Sequence, residues 1–112
     1  MENRKVLMQY CLYDKEISFY DCFCVSYDDK DAVNYFMGMF RDIIFSLTNE
    51  DDLSKFEDKL KNTCIYKIAS FDNLTGEFIN EKNLLVDYLD INTVRNYFDI
   101  TKNKEKEIKN ES

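Results

Sequence analysis

The stretch YKIASFDNLTGEFI, Tyr66 to Ile79, reads as two extended arms around a tight link. Cys64 to Phe71 and Glu77 to Ile79 are the expected strands, and Asp72-Asn73-Leu74-Thr75-Gly76 is the connection. Asp72 or Asn73 can fold its side chain back onto the backbone, and Gly76 supplies the positive φ of a bulge that closes such a loop. These three residues are expected to be structural, a turn without chemistry of its own.

Working upstream, Val6, Met8, Tyr10 and Leu12 alternate with Leu7, Gln9, Cys11 and Tyr13, as a strand requires. Phe19, Asp21, Phe23 and Val25 alternate in the same way with Tyr20, Cys22, Cys24 and Ser26. The short polar Asp14-Lys15-Glu16-Ile17 between them predicts a second hairpin. A register in which Leu12 meets Phe19, Met8 meets Phe23 and Val6 meets Val25 gathers the strongest apolar side chains on one face. The other face then carries Gln9, Cys11, Tyr13, Ser18, Tyr20, Cys22 and Cys24. Leu12-Tyr13-Asp14 before the first turn faintly echoes Ser70-Phe71-Asp72 before the second, too weakly to establish a duplication.

Between the hairpins, Val33, Phe36, Met37, Phe40, Ile43, Ile44 and Leu47 recur at helical spacing. Asp28, Asp29 and Asp31 precede this stripe and suit a helix N-terminus. The same cluster lacks the ligand spacing and later Glu of a calcium loop. Thr48 or Asn49 is placed to cap a shorter helix with Leu53, Phe56 and Leu60 inward. Downstream, Leu84, Leu85, Tyr88 and Leu89 fit one helical turn, and Val94, Tyr97 and Phe98 another, capped by Asn92 or Thr93. After Ile100 the sequence becomes TKNKEKEIKNES, so residues 1–100 are read as one domain and 101–112 as a charged tail, frayed or disordered.

The 112 residues carry a formal charge of −7, with 45% hydrophobic residues and 17 Phe or Tyr, enough for a core. The tail holds four Lys and three Glu, which leaves 11 basic and 19 acidic groups in residues 1–100. So acidic a body repels phosphate backbones and anionic membranes, since affinity for them comes from Lys and Arg. No apolar run approaches the roughly 20 residues of a membrane helix, and no export signal is read at MENRKVLMQY. The four cysteines are therefore expected as reduced thiols. They lack paired metal-ligand spacing and there is no His, so core packing is favoured over metal or redox chemistry.

No nucleophile elbow or phosphate loop occurs, and carboxylate pairs such as Asp51-Asp52 and Glu57-Asp58 sit on a polar helix face. No enzyme activity, cofactor or metal is expected. Two features point to binding. Tyr13 and Tyr20 share the mixed face of the first hairpin, where aromatic rings can stack on unpaired bases. Lys15 is the nearest cation and Asp21 is close, which favours a cover over further core, or a dimer face, instead. A small, acidic, aromatic-rich chain also suits contact with proteins.

KVLMQYCLYDKEISFYDCF, then DAVNYF opening a helix, then CIYKIASFDNLTGEFI, resembles the small nonstructural protein of gokushoviruses, the microvirus branch of single-stranded DNA phages. Leu12-Tyr13-Asp14-Lys15, Asp31-Ala32-Val33-Asn34 and the run from Tyr66 to Gly76 match that pattern in order, over residues 5 to about 79. Ala69 stands where Gly is usual, the region from Arg41 to Asn62 is longer, and the segment after Asn83 is extended. The resemblance transfers no catalytic residue. It implies an accessory protein for viral single-stranded DNA synthesis or packaging, in the cytoplasm of the host cell, with a phage or host protein as partner.

The expected fold is α+β: an antiparallel sheet of about four strands from two β-hairpins, with helices on one face. The expected function is non-enzymatic accessory work through protein contacts. The alternatives are weak single-stranded nucleic-acid binding on Tyr13 and Tyr20, or a structural or host-directed adaptor. Homo-oligomers fit either class.

Overall fold

The computed structural model describes residues 6–99, so the charged tail at 101–112 lies outside the described residues. The element order is β1 (Val6–Asp14), β2 (Phe19–Ser26), α1 (Asp29–Ser46), α2 (Glu50–Lys61), β3 (Thr63–Asp72) and β4 (Phe78–Val86), followed by a helix α3 over 91–99. The strands form one antiparallel sheet in the order β2-β1-β3-β4. The fold is α+β, with two hairpins joined through their inner strands. Between β1 and β3, Leu12 pairs with Ile65 and Tyr13 with Cys64.

The core lies between this sheet and the helices. Tyr10, Leu12 and Ile65 from the sheet meet Phe36, Met37, Phe40 and Ile44 of α1, Leu60 of α2, Leu89 and Val94. Local chemistry sets each boundary. The Asp28 carboxylate caps α1 by accepting from the Lys30 N–H at 2.7 Å, and Asp29 and Asp31 fill the first turn. Asn49, rather than Thr48, caps α2: its Oδ1 accepts from the Asp52 N–H at 2.8 Å, and its Nδ2 donates back to Asp52 Oδ2. Asp29 also ties α1 to the sheet, accepting from the Tyr10 hydroxyl at 2.6 Å and pairing with Lys67 at 3.5 Å.

The turn after β3 has Gly76 at φ 74. Asp72 Oδ1 accepts from the Leu74 and Thr75 N–H groups, while the Gly76 N–H donates to the Asp72 carbonyl at 2.8 Å. Asn73 donates to the Tyr27 hydroxyl at 2.9 Å, linking this loop to the chain after β2.

Three details correct the sequence reading. First, the β1–β2 register is different: Leu12 faces Asp21, Tyr10 faces Cys24 and Met8 faces Ser26, with a bulge between Tyr10 and Leu12. The bulge sits at Cys22, whose φ is 54 and whose N–H donates to Asp21 Oδ1 at 2.7 Å. It reverses the alternation beyond it, so Cys24 packs toward the core while Phe23 and Val25 stay 57% and 60% exposed.

Second, Leu84 and Leu85 belong to a long strand, β4, and not to a helical turn. Leu84 pairs with Tyr66 and Val86 with Ile65, and short apolar runs satisfy strand and helix spacing alike. Third, α3 is capped by Asp90 instead of Asn92 or Thr93, for Asp90 Oδ1 accepts from the Thr93 N–H at 2.6 Å. Glu57 of α2 accepts from the Ile91 N–H and docks this helix on the second.

Candidate docking face

The helices cover one side of the sheet and leave the other open. On that open side the strands bring together two patches. At the end nearer the β1–β2 turn, the pair Tyr13↔Tyr20 and the neighbouring Tyr66 form a cluster. Ring centroids lie 4.5 Å apart for Tyr13 and Tyr20, 5.9 Å for Tyr13 and Tyr66, and 6.1 Å for Tyr20 and Tyr66, all tilted or edge-on. The Lys82 ammonium reaches across from β4 to lie 5.2 Å from the Tyr20 ring centre and 5.7 Å from that of Tyr66. Hydrogen bonding to Tyr20, then the tyrosines' proximity, holds the Lys82 pKa above its ordinary value.

At the other end, Leu7, Gln9, Val25, Ala69, Phe71 and Phe78 line a shallow depression of about 130 Å³. Its floor is apolar, and Phe78 at the rim is 56% exposed. Strand alternation puts Phe23 on this side too. Among the described residues, Lys82 is the one charged side chain that the strands place on this face. Asp21, opposite Leu12, lies on the helix side, and Glu81 accepts from Asn83, which pairs with the helix-side Lys67.

Tyr13 and Tyr20, read from the sequence as sharing one face of the hairpin, pair across β1 and β2 and are in direct contact. Tyr66 and Lys82 complete the cluster and escape that reading. Alternation along the second hairpin was a usable signal for Tyr66, which pairs with Cys11 in β1. Lys82 had none, because its strand was read as ending at Ile79. Lys15, read as the nearest cation, is turned away: its N–H donates to the Asn62 carbonyl and its Nζ to that of Asp87. Asp72, Asn73 and Gly76 remain in their turn, apart from the tyrosines.

Chemically this surface offers apolar area, three phenols that both donate and accept, and one cation. Cys11 beneath it is buried, and desolvation pushes its thiol up to about 11. Burial raises Cys22, Cys24 and Cys64 in the same direction, which keeps these thiols protonated and weakly nucleophilic. Among the described residues, no group of three or more His, Cys, Asp or Glu side chains is placed to hold a metal ion. Nor is any helix there long and apolar enough to cross a membrane. A scan against protein-family models, a search of curated proteins and a search of solved structures each return no match.

Proposed function

We propose that this chain is a non-enzymatic accessory protein that works by protein contact through the open face of its sheet. On the resemblance to the gokushovirus nonstructural protein, that work belongs to phage single-stranded DNA synthesis or packaging in the host cytoplasm. One observation carries the contact reading. In a chain where 33% of residues are charged, one sheet face presents mainly aromatic and aliphatic side chains, with Gln9 and Asn80 as uncharged polar groups and, among the described residues, a single cation. A solvated face of an antiparallel sheet ordinarily alternates to polar residues, and contiguous exposed apolar surface marks interaction sites.

The tyrosine cluster with Lys82 favours a second reading, base stacking by single-stranded nucleic acid. The magnitudes weigh against it. Stacking contributes about 1–3 kcal/mol per base, while micromolar affinity needs about 8 kcal/mol. The three rings pack on one another, so they offer fewer free faces than three separate platforms. One cation releases roughly one counterion, and the acidic body opposes the backbone.

Fluorescence anisotropy of a labelled oligonucleotide at near-physiological salt tests the choice. Absence of submicromolar binding is expected. Submicromolar binding lost in a Tyr13→Ala/Tyr20→Ala double variant would reverse the ranking.

A further inference from the structure

Resting on the protein-contact reading, we infer that the occupant of the open sheet face is a second copy of this chain, packed sheet on sheet with the helices outermost. Three observations select a copy of itself.

The first is charge. Acidic groups cluster at the helix N-termini, with Asp29 and Asp31 in the first turn of α1 and Glu50, Asp51 and Asp52 in that of α2, and others such as Glu16, Glu77 and Asp87 lie in the loops at the ends of the sheet. Two chains of −7 brought together by their helices would oppose like charges. Brought together by their sheets, they hold the helix carboxylates apart by two sheets and the gap of about 10 Å between packed sheets. That separation exceeds the Debye length of about 8 Å at physiological salt. The sheet-to-sheet arrangement therefore costs the least repulsion.

The second is chemistry that complements itself. Tyr13, Tyr20 and Tyr66 carry hydroxyls that donate and accept, so such a cluster can satisfy a copy of itself across a two-fold axis. Lys82, the one charged side chain that the strands place on the face among the described residues, already rests on Tyr20 and Tyr66 of its own chain. Across the two-fold axis the partner's tyrosine hydroxyls are acceptors for that ammonium.

The third is size. Four strands at about 4.8 Å spacing and about eight residues at 3.3 Å make a face of roughly 500 Å² in projection. Relief from Phe23, Val25, Phe71 and Phe78 raises its accessible area toward the about 800 Å² per partner of a stable interface. Aligned packing of two twisted sheets at about 30° is the ordinary geometry for such faces.

Sedimentation equilibrium of the full chain tests this. At about 10 µM, where a micromolar dimer is mostly assembled, the expected mass is twice the 13.5 kDa of one chain. Val25→Asp and Phe78→Asp, made separately, should each weaken self-association at least about tenfold, since each leaves an unpaired carboxylate in a dry interface. Both positions are more than half exposed in the single chain, and retained far-ultraviolet dichroism should show that it still folds. Phe45→Asp on α1, where the ring is 75% exposed, should leave the dimer unchanged.

A monomer at all concentrations up to about 100 µM, or a dimer that ignores both face substitutions and yields to Phe45→Asp, overturns the inference. A monomer that binds no oligonucleotide, and whose residue 78 still crosslinks to a different protein in cells, would remove the second copy as occupant. It would keep the contact reading.

Discussion

Gly76 and Gly38 show how a residue's effect depends on its backbone. Gly76 sits at φ +74 with open space where a Cβ would go, so a side chain there meets strain and no clash. Gly76→Val is expected to cost about 1–2 kcal/mol, because a β-branched residue resists the left-handed region. Gly38 lies within α1, and a Cβ there also meets nothing within 4 Å. Gly38→Ala should therefore stabilise by about 1 kcal/mol, through helix propensity alone. Phe36 and Phe40 are buried, and truncating either to Ala should cost about 3–5 kcal/mol. Urea titrations of the four variants check both signs. Cys11 gives a pH signature. Burial raises its pKa from 9.0 to about 11, so the folded state holds the proton more tightly than the unfolded chain. The stability this contributes is complete below pH about 9 and is lost as pH rises toward about 11. Cys11→Ala should flatten that loss in melts across this range without abolishing it, since burial shifts Cys24 and Cys64 the same way.

At the scale of elements, the bulge at Cys22 governs which side chains β2 offers to the open face. Its φ of 54 suits glycine better than cysteine. Cys22→Gly is expected to stabilise by about 1 kcal/mol and Cys22→Val to destabilise by at least as much, read as shifts in melting midpoint. This element also shows what was legible. The α1 stripe, the capping of both main helices and the link after β3 follow from periodicity and side-chain chemistry that act within a few residues. A bulge turns on one residue's φ and on a local hydrogen bond from its N–H to Asp21, and period-two patterning carries no trace of either. Phe23 and Val25 consequently look like core from the sequence and lie outside it. β4 was hidden for a related reason, as Leu84-Leu85 fits a helical turn until Tyr66 and Ile65 are seen opposite. Of the candidate site, the shared face of Tyr13 and Tyr20 could be read from strand alternation, though not their pairing, whereas Lys82 depends on that longer strand.

Residues 6–99 form a single helix layer on a single sheet. One side of the sheet is core. The other is nearly without charge, in a chain that carries its acids elsewhere. In the proposed function, the open face meets protein while the helix layer covers the core. A photo-crosslinking residue placed at Phe78, with Phe45 as the control position, tests it most directly in cells that produce the full chain. Protein adducts are expected from position 78, including a crosslinked pair of this chain, and few from position 45. Adducts from position 78 that are nucleic acid, or equal protein adducts from both positions, would contradict it.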